Sequence, residues 1–409
     1  MRALVVGASM AGLTAAQSLR EEGWDGPITV AGAEPHVPYD RPPLSKQVLA
    51  EDWDAQRIAF WPEGLALKLD VELLLGRRAV SLDAAAHRVR LADGEQLEYD
   101  RLVIATGAHA RSLPNVPELD GVHLLRSLDD ALALRADLAR ASRLVVVGGG
   151  FIGAEVASSA RARGLEVVVV EALELPLVRV LGRRMAAACA RLHMESGVVL
   201  RCGDGVSAIE GGGRVEAVRL RDGTAVDADA VVIGIGCAPT TAWLDGSGVH
   251  VEDGIVCDAH GATSQPGVYA AGDVARWHND FLGATARVEH WTNAVEQGRA
   301  VAQAIVHGDG ATRFESVPYF WSDQHGVKLQ LAGVPHPDDE VHVVENDESA
   351  RKLVALYARD GMLTGVLGFG RAGAVARMRQ MLQRRATLQE ALEAASKPTA
   401  PKLLRVSTH

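Results

Sequence analysis

The sequence predicts an α/β chain: two parallel-sheet units of the βαβ type, followed by a smaller C-terminal α+β domain. Three observations predict it. The glycine turn Gly7-Ala8-Ser9-Met10-Ala11-Gly12 directly follows the apolar run Ala3-Leu4-Val5-Val6. A second turn, Gly148-Gly149-Gly150-Phe151-Ile152-Gly153, follows Leu144-Val145-Val146-Val147. Past Gly308 the texture changes to short alternating apolar runs, the period of strands. Strand, tight turn and helix start, in that order, form a seat for pyrophosphate, because backbone N–H groups at the helix start face the anion. One such match is weak. Two in matching contexts, each followed by a carboxylate at the expected distance, point to two dinucleotide sites.

The first unit continues as a helix from Gly12 to Glu22, a stop at Gly23 and a strand at Ile28-Thr29-Val30-Ala31. Glu34 lies 22 residues after Gly12, where an acid would hold a ribose hydroxyl; the plain alternative is a solvated loop acid. The segment Pro38-Tyr39-Asp40-Arg41-Pro42-Pro43-Leu44-Ser45-Lys46 cannot begin as ordinary helix or central strand and reads as a rigid loop. Its cations Arg41 and Lys46 suit pyrophosphate or an electron-rich flavin edge, and equally a surface turn with two solvated charges. The strand Arg101 to Ala105 ends in Thr106-Gly107, small residues that let backbone approach a ligand.

The second unit repeats the plan. A helix runs from Ala154 to Arg163, Gly164 stops it, and the strand from Glu166 to Val170 leads to Glu171, 18 residues after Gly153. With no arginine until Arg179, that acid favours NAD over NADP, since it would repel a 2′-phosphate. The strand Ala230-Val231-Val232-Ile233 ends in Gly234-Ile235-Gly236, and Val268-Tyr269-Ala270-Ala271 ends in Gly272-Asp273. Asp273 then faces a ligand, or is a turn or helix-cap acid. A helix follows near Asn293 to Val306. Strands at Lys328 to Ala332, Glu340 to Val344, Leu353 to Tyr357 and Leu363 to Leu367 suggest a sheet with one wet face. The tail from about Lys397 reads as loosely ordered.

Composition bounds the rest. A length of 409 residues allows two or three domains, and 48% hydrophobic with 23% charged residues is ordinary for a globular chain. The 42 basic and 52 acidic residues give a net charge of −10, which disfavours nucleic acid as a partner. Cys189, Cys202, Cys237 and Cys257 form no zinc or dithiol spacing, so no metal site is indicated. No apolar run reaches the roughly 18 residues of a membrane span, and the N-terminal run breaks at Gly7, as a buried strand does and a signal peptide does not. The expected setting is reducing and cytoplasmic.

Taken together, the Gly7 turn, the Pro38 to Lys46 loop, Ala105-Thr106-Gly107, Gly148 to Glu155, Gly272-Asp273 and Phe320-Trp321-Ser322-Asp323-Gln324 resemble those of the NADH-dependent ferredoxin reductases that serve oxygenases, of the putidaredoxin reductase and biphenyl dioxygenase reductase type. The proline-rich loop is the most diagnostic. The resemblance covers nearly the whole chain. It implies two Rossmann-like dinucleotide-binding domains, an FAD domain at 1–107 and 238–316 with an NADH domain inserted at 108–237, and a C-terminal α+β domain at 317–409. It implies FAD contacts from Ala11, Glu34, Arg41, Lys46, Val80, Arg126, Asp273 and Trp291, with Gly7, Ser9, Gly12, Thr106, Gly107 and Gly272 shaping that seat. For NADH it implies Ile152, Glu155, Glu171 and Gly236, with Gly148, Gly150 and Gly153 in the turn. Lys46, paired with Glu155, would lie beside the flavin N5 edge and favour its reduced anionic form. Trp321 would shield the ring on the electron exit route; without the motif it is equally a core aromatic.

Three departures from the family pattern stand out. Ser9 replaces the second glycine of the first turn, Ala33 stands where some members carry an acid, and Gly368 to Gly373 replaces a Val-Asn-Arg-Pro pattern. The implied activity is transfer from NADH through FAD, one electron at a time, to an iron–sulfur ferredoxin that supplies a cytochrome P450 or Rieske-type oxygenase. Two alternatives are an NADH oxidase of the same superfamily, whose active cysteine would fall where Pro42-Pro43 stand, and an NADH-sensing flavoprotein of the apoptosis-inducing-factor type. From Arg371 to Arg385 there are five arginines, Arg371, Arg377, Arg379, Arg384 and Arg385, and no acid. With Arg299, which matches a basic docking position of the family, they would steer an acidic ferredoxin; the bland reading is a solvated helix face balancing nearby acids. Oligomeric state stays open.

Overall fold

The structure, a computed structural model, describes residues 1–62 and 64–396; the tail from Lys397, expected to be loosely ordered, lies outside them. Its first sheet is parallel, with strands in the order Val268–Ala270, Arg101–Ile104, Ala3–Val6, Ile28–Ala31 and Val71–Leu74. All four residues of Ala3–Val6 are buried, as expected of a strand covered on both faces. Helix Met10–Glu21 turns its Leu13, Ala16 and Leu19 to this core, and helix Trp291–His307 packs alongside. Chain connections leave Ala3–Val6 in opposite directions, so the first glycine turn stands at a topological switch point, where open α/β sheets bind ligands.

The second sheet repeats this geometry in the order Val199–Cys202, Glu166–Glu171, Arg143–Val147, Ala230–Ile233 and Val122–His123, again parallel. The chain enters and leaves this unit through one antiparallel ribbon, Ala108–Ala110 against Cys237–Pro239. Only after returning does it supply Val268–Ala270 to the first sheet. The second unit is therefore an insertion in the first.

The third sheet is antiparallel, ordered Tyr319–Gln324, Val327–Gly333, Met362–Phe369, Lys352–Arg359 and Glu340–Asp347. Here the expected wet face is absent. Helix Val178–Glu195 of the second unit lays Leu181, Met185, Cys189 and Leu192 against Leu329, Leu331, Tyr357 and Leu367. Helices Ala372–Gln383 and Leu388–Ser396 cover the other face through Val375, Met378, Leu382 and Ala391. Six consecutive buried residues in Lys352–Arg359 record the double cover. Each fully buried Leu contributes about 1.5–3 kcal/mol relative to exposure, so this face fixes the third domain to the second. Among the described residues, no helix is long and apolar enough to cross a membrane.

Candidate active site

The two glycine turns are built alike. Gly7 has φ +122°, and a Cβ there would lie 2.1 Å from the Ala105 carbonyl oxygen; Gly148 has φ +102°, with a Cβ 2.4 Å from the Gly234 carbonyl oxygen. Each turn is thus pressed on the end of the neighbouring parallel strand, a fit closed to any side chain. Gly12 and Gly153 pack equally closely on the carbonyls of Gly7 and Gly148. The helices that follow, Met10–Glu21 and Phe151–Ala162, begin without a side-chain cap and without an acid in the first turn, and the Ser9 hydroxyl makes no capping bond. Helix Leu128–Leu138 instead closes its start with a Ser127/Asp130 capping box. The first N–H groups of the two glycine-turn helices remain for an anion.

Between the turns runs one cavity of about 800 Å³. Among the residues singled out in the sequence, Ser9, Ala11, Arg41, Lys46, Thr106, Gly107, Arg126, Gly150, Ile152, Glu155, Gly236, Gly272, Asp273, Trp291 and Trp321 line it. Gly7, Gly12, Gly148 and Gly153 stand behind that lining, inside the turns, while Glu34, Val80 and Glu171 lie outside it. Val80, on strand Ala79–Asp83, is 36% exposed. Glu34 accepts from Arg41 Nη2 at 2.6 Å and from the Tyr39 hydroxyl. Burial opposes its charge, yet the Arg41 guanidinium and these bonds hold its carboxyl below the usual range. Glu171 accepts from the Gly149 amide at 2.8 Å and the Leu173 amide at 2.9 Å, so it also braces the second turn.

At the centre, Glu155 is 3% exposed on the helix of the second turn. Its Oε2 accepts from Lys46 Nζ at 2.8 Å and from Ser45 Oγ at 2.5 Å; its Oε1 accepts from Ser322 Oγ at 2.7 Å and from the Asp323 amide at 3.3 Å. Pro42 and Pro43 open the 3₁₀ turn Pro42–Ser45, whose fixed geometry delivers Ser45 and Lys46 to this point. Nearby, Arg126 Nη2 donates to Asp273 Oδ2 at 2.8 Å, and Trp291 Nε1 donates to Asp40 Oδ1 at 3.0 Å.

Aromatic rings close one side of the cavity. Trp321 lies 6.0 Å from Trp291 and 6.3 Å from Tyr319, and Phe320 lies 4.4 Å from Phe151 and 4.8 Å from His290. Two polar atoms of lining residues, Arg287 Nε and His290 Nδ1, are buried without a hydrogen-bond partner. Burial pushes the His290 imidazole down to about 4 although Asp273 opposes the shift, so it is neutral at physiological pH. Burial, then Glu289, pushes the Cys237 thiol in the same lining up to about 12. Ser45, Ser322, Phe320 and His290 were not singled out by role in the sequence. The signal was adjacency: Ser45 adjoins Lys46, His290 adjoins Trp291, and Phe320 and Ser322 flank Trp321.

The arginine-rich stretch is less free than its own acid-poor sequence implies. The fold brings Glu345 to Arg371 and Glu296 to Arg379, the latter at 3.1 Å, with Arg379 also over the Tyr319 ring. Arg377 donates to the Ala394 carbonyl at 2.9 Å, and Arg385 donates to the Asp280 carbonyl while lying over Phe281. The acids that face this local basic patch, Glu345 and Glu296, come from other elements, beyond any local window, as the reading of a helix face balancing nearby acids expects. Arg299 is exposed on helix Trp291–His307.

The sequence pattern of pyridine nucleotide-disulphide oxidoreductases matches residues 1–298, and that of the reductase C-terminal domain matches residues 319–401. The chain is 41% identical over 347 residues to rhodocoxin reductase of Rhodococcus erythropolis, covering 84% of this chain and 80% of that protein. It is 39% identical over 338 residues to the ferredoxin–NAD(+) reductase subunit of the benzene 1,2-dioxygenase system of Pseudomonas putida, covering 80% of each. Among solved structures, it superposes on the reductase of the covalent putidaredoxin reductase–putidaredoxin complex with a TM-score of 0.91 and 32% identity, covering 97% of this chain and 99% of that one.

Proposed function

The chain belongs to the pyridine nucleotide-disulphide oxidoreductase family and carries a reductase C-terminal domain, and from that premise we propose that it is an FAD-dependent NADH:ferredoxin reductase. It passes electrons singly to an iron–sulfur ferredoxin, which supplies a cytochrome P450 or a Rieske-type oxygenase. One observation carries the reading: the Lys46–Glu155 ion pair is buried where the clefts of both glycine turns meet and where the third domain contributes Ser322.

FAD fits the residues present. A turn pressed on backbone at Gly7 and Gly12, an uncapped helix start, the unpartnered Arg287 Nε donor and the unpartnered His290 Nδ1 in one lining together form a cradle with open polar atoms. We assign the FAD seat to residues 1–107 and 238–316, the NADH seat to 108–237, and the covering domain to residues from 317 on. When bound, the flavin supplies the exchange between hydride and single electrons.

The chain's own residues do the rest. Gly7, Ser9, Ala11 and Gly12 admit a pyrophosphate to the first helix start, and Gly148 to Gly153 do the same at the second. Glu34 and Glu171 present carboxylates to ribose hydroxyls, and Glu171 repels a 2′-phosphate. Lys46 places a cation where negative charge gathers, with Glu155 fixing its position. Asp273 and Arg126 orient each other at the same edge, Thr106, Gly107, Gly236 and Gly272 keep the walls thin, and Trp321 with Trp291 excludes water. Val80 is assigned to the far end of the FAD seat and Ile152 to the NADH mouth. Arg299, Arg371, Arg377 and Arg379 form the docking set, with exposed Arg299 foremost. The four unbridged cysteines fit a reducing, cytoplasmic setting. Against an oxidase, the thiol in the lining, Cys237, is held protonated.

Steady-state kinetics with NADH and NADPH against a panel of ferredoxins, with ferricyanide as a small acceptor, test the reading. NADH preference and strong ferredoxin dependence are expected. Rapid direct oxygen consumption with no ferredoxin dependence refutes it.

A further inference from the structure

The four donors on Glu155 come from both sides of it. Ser45 and Lys46 reach it from the first unit, Ser322 and the Asp323 amide from the third sheet. Glu155 itself rides on the helix that starts at the second glycine turn. Resting on the functional reading above, we propose that Ser322 is a positioning residue: its hydroxyl holds the charge and aim of Glu155, and through Glu155 it sets the charge that Lys46 presents to the flavin.

The hydrogen inventory gives the direction. Ser322 is fully buried, and a serine hydroxyl has one hydrogen to give. Gln324 Nε2 donates to Ser322 Oγ at 3.1 Å, a contact that uses an oxygen lone pair. The hydroxyl hydrogen therefore goes to Glu155 Oε1, at 2.7 Å. The other donor on Oε1, the Asp323 amide, stands at 3.3 Å, beyond the favoured range for N–H···O, so Ser322 is the strong partner on that oxygen.

Removing the hydroxyl leaves Oε1 with the long amide contact alone and strips Gln324 of its acceptor. A buried carboxylate with fewer donors takes up a proton more readily. The pair then changes from neutral to net positive, which favours the more negative, reduced flavin. Ser322 acts on the reaction without touching substrate or cofactor.

The test is the midpoint potential of the flavin-loaded enzyme across the neutral pH range, for the unchanged protein, Ser322→Ala, Ser322→Thr and Ser45→Ala. Ser322→Ala is expected to raise the potential increasingly as pH falls, by at least a tenfold change in the reduced-to-oxidised ratio, about 30 mV for a two-electron couple. Ser322→Thr, which keeps the hydroxyl, should track the unchanged protein. Should Ser322→Ala fail to hold flavin, Ser45→Ala decides through Oε2, with a shift of the same sign. Unaltered potentials and pH profiles in flavin-loaded alanine variants, or a threonine variant that shifts like alanine, overturn the proposal and leave the functional reading intact. An unmutated protein that binds no flavin overturns the reading beneath it.

Discussion

Removing either partner of the Lys46–Glu155 pair should be costly, and removing both should cost much less than the sum. The side chains are 11% and 3% exposed at 2.8 Å separation, so water screens little of their interaction. Lys46→Met deletes one of four donors to Glu155, and a hydrogen bond to a charged group is worth about 1.5–3 kcal/mol. Glu155→Gln does more. Its amide nitrogen must face either the Lys46 ammonium or the Asp323 amide, neither of which can accept, and Lys46 keeps an uncompensated charge. Breaking a buried pair in this way costs about 3–5 kcal/mol, a large share of a total stability of about 5–15 kcal/mol. The double variant restores charge balance, giving an expected coupling energy of at least about 1.5 kcal/mol. Equilibrium urea unfolding of the FAD-saturated protein, followed by tryptophan fluorescence, reads all four corners of the cycle. A Glu155→Gln cost below about 1 kcal/mol, or additivity within about 0.5 kcal/mol, refutes the reasoning, because the pair would then behave as an exposed one.

Other outcomes follow from the same geometry. Gly148→Ala drives a Cβ to 2.4 Å from a backbone carbonyl at a φ of +102°; with strain of about 1–3 kcal/mol confined to the second turn, kcat/KM for NADH should fall roughly tenfold or more while the flavin absorbance ratio stays unchanged. His193 and His325 share a hydrogen bond of 2.9 Å between the second and third domains, and burial holds both imidazoles down at about 4 from the ordinary 6.5. Between those values the unfolded chain binds protons that the folded one refuses, so stability should be lost as pH falls from 6.5 towards 4; a melting temperature indifferent to pH there contradicts it. Arg299→Glu should raise the ferredoxin KM severalfold, more at low salt, and leave ferricyanide reduction intact, whereas equal loss with both acceptors speaks against docking.

What could be read in advance was local. The glycine turns, the strands feeding them and the proline-fixed loop each declare themselves within about ten residues, because steric limits on φ act at that range. Contacts between distant segments were not legible in spacing. Ser322 and Glu155 are 167 residues apart, and Lys46 and Glu155 are 109 apart, a pairing carried by family likeness and not by pattern. The third sheet was misread for the same reason. Its alternation left the cover supplied by helix Val178–Glu195 invisible, since no periodicity records what another domain places on a face. Arg371 and Arg379 looked unopposed because Glu345 and Glu296 lie outside their stretch.

The insertion also has a bearing on how the chain is made. Strand Arg101–Ile104 must wait for its outer neighbour, Val268–Ala270, across the intervening 163 residues, 105 to 267. At about 5–20 residues per second the wait is roughly 8–33 s. Throughout it, Leu102, Val103 and Ile104 present a bare apolar edge with unpaired amides, the kind that templates aggregation. The inserted sheet, contiguous from Val122 to Ile233, can be complete before that edge is sealed. Asp100 just before the strand and Arg101 at its first position put charge at one end of that edge. Self-association is therefore a hazard of synthesis more than of the finished molecule, and slower translation lengthens it.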